Sequence, residues 1–229
     1  MMEAIILAGG FGTRLSSVNP LLPKPMALIC ARPFLEILMS SLAQKGFTRI
    51  ILSLGYKAEI ILSHFGRNYA GMDVDYVVED TPLGTGGAIR LAMTKTISDH
   101  VYIFNGDTFL DLDIAPLEIE WREHRKSIIV GCMIENVERY GKILFEKNRV
   151  VNFIEKGVSG PGVINAGCYI LNRDQLINFE LHKKFSFESD YLPEAISQVG
   201  FNLFIASGFF IDIGIPEDFL RAQILLKNY

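Results

Sequence analysis

The run Ala4-Ile5-Ile6-Leu7 leads directly into Ala8, Gly9, Gly10, Phe11, Gly12, Thr13, Arg14 and Leu15. This junction limits what the chain can fold into more than any other stretch. A short apolar, β-branched run followed by three glycines in four positions reads as a buried strand whose chain then turns tightly. No side chain covers the backbone N–H groups of such a turn, so it suits an anion. Two glycine signatures fail when tested residue by residue. The dinucleotide fingerprint needs a glycine three positions after Gly12, where Leu15 stands. The phosphate loop of ATPases ends in Gly-Lys-Ser or Gly-Lys-Thr, which the chain lacks. What remains is a glycine turn followed by Thr13 and Arg14, then Lys24 between Pro23 and Pro25. An arginine forks onto phosphate oxygens, and a lysine on a proline-stiffened segment is a placed point charge.

A chain of 229 residues suits one domain. Its formal net charge of −4 argues against nucleic acid as the main partner, so any phosphate must be met by local cations. Cys30, Cys132 and Cys168 are odd in number, widely spaced and set among apolar residues, which predicts reduced core cysteines. No stretch approaches the roughly 20 apolar residues of a membrane span, and the N-terminus carries no basic cluster typical of a secretory leader. The expectation is a soluble, cytoplasmic protein without a membrane partner. His64, His100, His124 and His182 are isolated and lack ligand spacing, and Trp121 is expected to pack on a helix.

Apolar periodicity predicts strands over 4–7, 49–54, 74–78 and 100–105, alternating with helices over 34–43, 58–65 and 88–93. This is the pattern of a three-layer α/β fold with a mostly parallel sheet, whose ligands sit at the carboxyl ends of its strands. From about residue 127 short strands dominate, over 127–137, 142–146, 150–155 and 164–171, and predict a small inserted mixed or antiparallel sheet for substrate binding. Helices over 173–180 and 189–199, strands over 202–206 and 209–212, and a helix over 216–226 complete the chain. About 1–126 therefore reads as one part and about 127–229 as a second, closing part of one domain. No hexapeptide repeat follows Asp212, so a C-terminal β-helix is not expected.

Two carboxylates stand where such a sheet presents its ligands. Asn105, Gly106 and Asp107 follow the 100–105 strand, and Asp212 ends the 209–212 strand. A pair of carboxylates suits Mg²⁺, a hard ion that completes its shell with water and phosphate oxygens. The stretch Glu79-Asp80-Thr81-Pro82-Leu83-Gly84-Thr85-Gly86-Gly87-Ala88 holds a glycine-rich turn that admits a flat ring close to the backbone. Glu79 could there accept hydrogen bonds from the N–H groups of such a ring.

With the glycine turn, Arg14, the Pro-Lys-Pro segment and these motifs together, nearly the whole chain resembles the sugar-1-phosphate nucleotidyltransferases. The resemblance implies a Rossmann-like, GT-A-like nucleotide-diphospho-sugar transferase fold, with about 1–126 as its nucleotide-binding part and about 127–229 as its sugar-binding and closing part. It implies that Leu7, Ala8, Gly9, Gly10, Gly12, Thr13, Arg14, Lys24, Glu79, Pro82, Gly84, Thr85, Gly86, Asn105 and Asp107 bind the nucleotide. It also implies that Gly141, Glu155, Lys156, Asn165 and Asp212 bind the sugar phosphate. Arg14, Lys24, Asp107 and Asp212 are the implied catalytic residues, with Asp107 and Asp212 holding the metal. Taken alone, Glu155 and Lys156 read only as a surface pair.

The stretches 82–89, 184–188 and 210–218 are similar to those of the D-glycero-α-D-manno-heptose 1-phosphate guanylyltransferases. Mannose 1-phosphate guanylyltransferases and N-acetylmuramate 1-phosphate uridylyltransferases remain as alternatives, with a catalytically silent nucleotide-sugar sensor as a distant one. The implied partners are a nucleoside triphosphate, GTP favoured, and a sugar 1-phosphate. Homo-oligomerisation stays open.

Overall fold

The computed structural model describes residues 1–10, 12, 22–154 and 156–229. In chain order the strands and helices are β1 (Glu3–Leu7), β2 (Leu28–Ile29), β3 (Arg32–Pro33), α1 (Phe34–Gln44), β4 (Arg49–Leu54), α2 (Ala58–Phe65), β5 (Asn68–Tyr69), β6 (Met72–Val78), α3 (Gly84–Ala92), β7 (His100–Asn105) and β8 (Thr108–Leu110). There follow α4 (Ile114–His124), β9 (Ile128–Ile134), β10 (Lys142–Glu146), β11 (Arg149–Ile154), β12 (Gly162–Asn172), α5 (Leu192–Gln198), β13 (Asn202–Ala206), β14 (Phe210–Asp212) and α6 (Pro216–Leu225).

Ten strands form one sheet in the order β10-β11-β13-β9-β12-β7-β1-β4-β6-β5. Its β7-β1-β4-β6 half is parallel throughout. Ile5, Ile51, Ile103 and Tyr169 are wholly buried on one face, under Ile89 of α3 and Ala195 of α5. Ala4, Ile50 and Tyr102 face the other way, under Phe34 of α1, Ile61 of α2, Trp121 of α4 and Phe219 of α6. Strands buried on both faces must read as near-continuous apolar runs, which is why β1, β4 and β7 are so plain in the sequence. The expected three layers are thus present. The strands after residue 127 pair in the expected mixed fashion, but they continue the main sheet.

Topology makes the site. β1 is flanked by β4 on one side and β7 on the other, because the chain steps outward from β1 through β4 to β6 and then crosses back to β7, and this reversal opens a crevice beyond the carboxyl end of β1. Leu7, Ser53, Glu79 and Asn105 all reach that rim. The two-stranded ladder of β8 and β14 then fixes the carboxylates. Asp212 pairs with Thr108, one residue after Asp107, and Ile213 N donates to Asp107 O at 3.0 Å.

Several elements depart from expectation. Residues 173–179 form successive tight turns, with Gln175 N on Asn172 O, Ile177 N on Asp174 O and Phe179 N on Leu176 O, where a helix was expected. Leu176 is buried and Phe179 stacks on Phe185 at 4.5 Å, so packing of these two side chains outweighs local helix propensity. The expected 189–199 helix is a single wide π turn, Phe187–Tyr191, followed by α5, whose Pro193 has no N–H to give. Cys30 is exposed. It sits with Ala31 in the two-residue turn between β2 and β3, both at positive φ (48° and 67°), and its Sγ donates to Gln223 O at 3.0 Å. Cys132 and Cys168 are buried and free, as expected. Trp121 packs on α4 as expected, stacked on His100 at 3.8 Å.

Gly208, in the turn from β13 to β14, has no room for a side chain, because a Cβ there would run into the backbone carbonyl of Asp111. Asp111 N also donates to Phe209 O at 2.8 Å, so neither backbone can retreat cheaply. Gly208→Ala is expected to cost about 1–3 kcal/mol of stability, the usual range for overpacking. Urea unfolding followed by circular dichroism measures it as a lowered midpoint, and an unchanged midpoint would contradict the packing described.

Candidate active site

A cleft of about 370 Å³ opens at the carboxyl rim, and its floor is backbone. Ala8 N donates to Ser53 O (2.8 Å), Gly106 N to Leu7 O (2.9 Å) and Tyr56 N to Gly9 O (3.3 Å). These bonds pin the glycine turn between the ends of β4 and β7. A Cβ on Gly106 would lie 2.5 Å from Leu7 O, and one on Gly55 would lie 2.8 Å from Gly9 O. The chains approach that closely only because both residues are glycine. Gly12, at φ 63°, lies against Lys24, where a Cβ would come within 2.7 Å of the lysine Cβ.

Lys24 lies in a short 3-10 turn, Lys24–Met26, entered from Pro23, with its side chain 10% exposed. Its Nζ forms an ion pair with Asp107 Oδ2 and stands 4.0 Å from Asp212 Oδ1. One ammonium therefore faces two carboxylates that are 105 positions apart in sequence. Asp212 Oδ1 also accepts from Gly214 N at 2.6 Å. Burial pushes the Asp212 carboxyl above the usual carboxylate range, and the charge of Asp107 pushes it the same way. Lys24, the Gly214 N–H and Arg139 partly offset this.

Such a pair of oxygen donors, already gathered around one positive charge, fits a divalent ion. Among the described residues no group of three or more His, Cys, Asp or Glu side chains could hold a metal. The remaining coordination positions would then fall to water and phosphate oxygens, as hard ions on two carboxylates require.

The opposite wall is the segment running into α3. Pro82, Gly84, Thr85 and Ala88 line it. Glu79, at the end of β6, accepts from Leu83 N at 2.8 Å through Oε2, and its Oε1 faces Gly9, where a Cβ would lie 3.3 Å away. Burial raises its carboxyl, offset in part by the Leu83 N–H.

Of the expected nucleotide residues, Leu7, Ala8, Gly9, Gly10, Gly12, Lys24, Glu79, Pro82, Gly84, Thr85, Asn105 and Asp107 line this one cleft. Gly86 instead turns its Cα onto the Phe185 ring, which a Cβ would overlap. Thr13, Arg14 and Glu155 lie outside the described residues.

Of the expected sugar residues, Gly141, Lys156, Asn165 and Asp212 are not in the wall of the cleft, although Asp212 stands beside it through Lys24 and Gly214. Gly141 has φ 76° and precedes β10, whose Lys142 pairs with Ile154 of β11, so the turn at Gly141 and exposed Lys156 share one end of that ladder. Asn165 lies where β12 shifts register between Asn165 and Cys168, and Gly167 (φ 68°) there meets the Asn105 side chain. The bulge thereby brings Gly167, two residues after Asn165, against Asn105 of the cleft wall.

Pro25, Ser53, Gly106 and Gly214 also line the cleft and were not expected. Gly106 precedes Asp107 and Gly214 lies two residues after Asp212, and that closeness in sequence was the available signal. Ser53 reads as any strand residue, yet its Oγ is buried without a hydrogen-bond partner among the described residues.

The sequence profile described as Nucleotidyl transferase matches residues 3–228. The chain is 43% identical, over the whole length of both, to the D-glycero-alpha-D-manno-heptose 1-phosphate guanylyltransferase of Aneurinibacillus thermoaerophilus. It is 39% identical to the protein of the same name from Campylobacter jejuni, over 97% of this chain and 99% of that one. Among solved structures, HddC from Yersinia pseudotuberculosis complexed with GMP-PN is 40% identical with a TM-score of 0.88, covering 98% of this chain and 99% of that one.

The raised Asp212 carboxyl has a consequence for stability. A group that holds its proton to higher pH in the folded than in the unfolded chain subtracts stability as pH rises through and above its folded value. Asp212→Asn keeps an oxygen for Gly214 N and removes the charge. It is expected to raise the melting temperature at pH 7.5. The gain should narrow as pH falls towards the carboxylate range. Scanning calorimetry at several pH values measures it, and a lowered melting temperature at pH 7.5 would contradict the assignment.

Proposed function

This chain belongs to the nucleotidyl transferase family, and from that premise we propose that it transfers a guanylyl group from GTP to D-glycero-α-D-manno-heptose 1-phosphate, giving GDP-heptose and pyrophosphate. One observation carries the reading. Lys24, Asp107 and Asp212 converge beside a glycine-lined cleft, in a chain matched end to end by relatives named for this reaction. Those matches favour the heptose substrate over mannose 1-phosphate or N-acetylmuramate 1-phosphate.

The acceptor is a phosphate monoester, already a nucleophile, so the protein need supply no covalent one. An oxygen of the sugar phosphate attacks the α-phosphorus, the α–β bridging P–O bond breaks, and pyrophosphate leaves on the opposite side. Protein groups contribute position and positive charge where negative charge accumulates. Lys24 brings its ammonium to the α-phosphate, leaving Asp107 as the nucleotide enters. The amides of the glycine turn cradle the triphosphate, and Arg14 grips the departing pyrophosphate. A divalent ion held by Asp107 and Asp212, Mg²⁺ by preference for hard oxygen ligands, would supply further charge to the reacting phosphates when bound.

Glu79 sets the base. One of its oxygens is committed to Leu83 N, and the other accepts from the guanine N–H edge, a pattern that a pyrimidine does not present. Lys156 and Glu155 meet the sugar phosphate and sugar hydroxyls, with Gly141 and Asn165 shaping that end. The enzyme works in the cytoplasm in this reading. Among the described residues no helix is long and apolar enough to cross a membrane.

Pyrophosphate release from GTP, UTP, CTP and dTTP against a panel of sugar 1-phosphates tests the substrate pair. The highest kcat/KM is expected with GTP and the heptose phosphate. Preference for UTP with N-acetylmuramate 1-phosphate, or for mannose 1-phosphate, would replace it, and no release with any pair would indicate a sensor. Lys24→Ala is expected to lower kcat by about 10²–10³, the loss usual for one charge-stabilising donor. Turnover within a few-fold of wild type would remove Lys24 from the mechanism.

A further inference from the structure

Glu188 is outside the cleft wall, yet its carboxylate gathers hydroxyls from both ends of the site. Oε2 accepts from Thr85 Oγ1 at 2.6 Å and from Ser186 Oγ at 3.4 Å, and Oε1 accepts from Tyr169 OH at 3.3 Å. Thr85 lines the nucleobase wall. Tyr169 is wholly buried, and its oxygen accepts from Asn165 Nδ2 at 2.8 Å, while Asn165 Oδ1 accepts from Gly167 N at 3.0 Å. A continuous chain of hydrogen bonds thus runs from Thr85 through Glu188 and Tyr169 to Asn165 and the β12 bulge.

The chain has a fixed direction. Thr85 Oγ1 accepts from Phe187 N at 2.9 Å, so its own proton is free to go only to Glu188. Tyr169 likewise takes the Asn165 proton and passes its own to the carboxylate. Only a group that accepts at both oxygens satisfies both hydroxyls at once, and an ionised carboxylate is that group. The segment carrying Glu188 is itself pinned to the nucleobase wall. Gly86 N and Gly87 N donate to Phe185 O at 3.0 and 3.3 Å, and Phe185 N donates to Leu83 O at 3.0 Å. The wide π turn Phe187–Tyr191 then presents Glu188 between the two halves, a backbone form found mostly at functional places.

We infer that Glu188 is a positioning residue that ties the nucleobase segment to the sugar segment through Thr85 and Tyr169, so that the two substrate subsites are set together. The inference rests on the guanylyl-transfer reading for what occupies each end. Glu188 touches neither substrate.

Glu188→Gln tests it. The amide replaces one acceptor by a donor, so the Thr85 or the Tyr169 hydroxyl loses the acceptor of its proton and both ends reset. Expected is a rise of about tenfold in KM for GTP and for the sugar phosphate, the size of one charge-assisted hydrogen bond, with kcat within about threefold of wild type. Thr85→Val should raise KM mainly for GTP, and Tyr169→Phe mainly for the sugar phosphate. A Glu188→Gln/Thr85→Val double variant should bind GTP no more weakly than the poorer single one, because the two act through one bond.

A purely structural role would lower the melting temperature and leave both KM values unchanged. That result, or a rise in one KM alone, would overturn the coupling. Calorimetric titration with GTP on the same variants separates the two readings. If wild type binds GTP but turns over no substrate pair, the guanylyl-transfer reading fails, while a GTP Kd about tenfold weaker in Glu188→Gln still supports the Thr85 link. An unchanged Kd sinks it.

Discussion

Two carboxylates facing one ammonium are the interaction on which this structure turns. Asp107 is delivered by the end of a parallel strand, Asp212 by the last residue of a short antiparallel one, and Lys24 by a proline-bounded turn. Three separate pieces of chain therefore have to agree to within a few ångströms. The backbone secures that agreement. Gly106 lets β7 turn against the end of β1, the β8–β14 ladder sets Asp212 opposite Thr108, and Gly208 allows β14 to reach β8.

Gathering these charges in a half-buried place costs stability. Burial and mutual repulsion raise the Asp212 carboxyl, and Lys24, the Gly214 N–H and Arg139 do not fully offset them. Local bonds hold the arrangement in place. Gly214 N binds Asp212, and Arg139 binds Asp218 at 2.5 Å at the start of α6, which ties the turn before β10 to the helix after β14. A site held under charge strain by its scaffold is what catalysis by positioning and electrostatics requires. The same scaffold carries the hydrogen-bond chain from Thr85 through Glu188 and Tyr169 to Asn165, with Glu188 itself outside the cleft wall.

The sequence made the parallel half legible because strands covered on both faces have no polar residues to blur them. β4, β7 and α2 match the expected spans to the residue. The glycines at 9, 10 and 12, Lys24, Asp107 and the segment from Glu79 were legible as motifs that meet at one cleft, since their chemistry is carried by residue types at fixed short spacing. Three kinds of feature were not. The 173–179 turns follow from Leu176 and Phe179 finding partners far along the chain, which no local pattern encodes. The register that continues the later strands into the main sheet is a long-range pairing. Glu188 is a glutamate among serines in the sequence, and only the fold shows that two hydroxyls 84 positions apart, on Thr85 and Tyr169, share it.

The most direct measurement is diffraction from crystals grown with a non-hydrolysable GTP analogue and Mn²⁺, recorded so that manganese is located by its anomalous signal. The expected peak lies within coordination distance of a carboxylate oxygen of both Asp107 and Asp212, with the lysine ammonium moved from Asp107 onto the α-phosphate. Manganese bound by the phosphates alone, with Lys24 still paired to Asp107, would contradict the central claim.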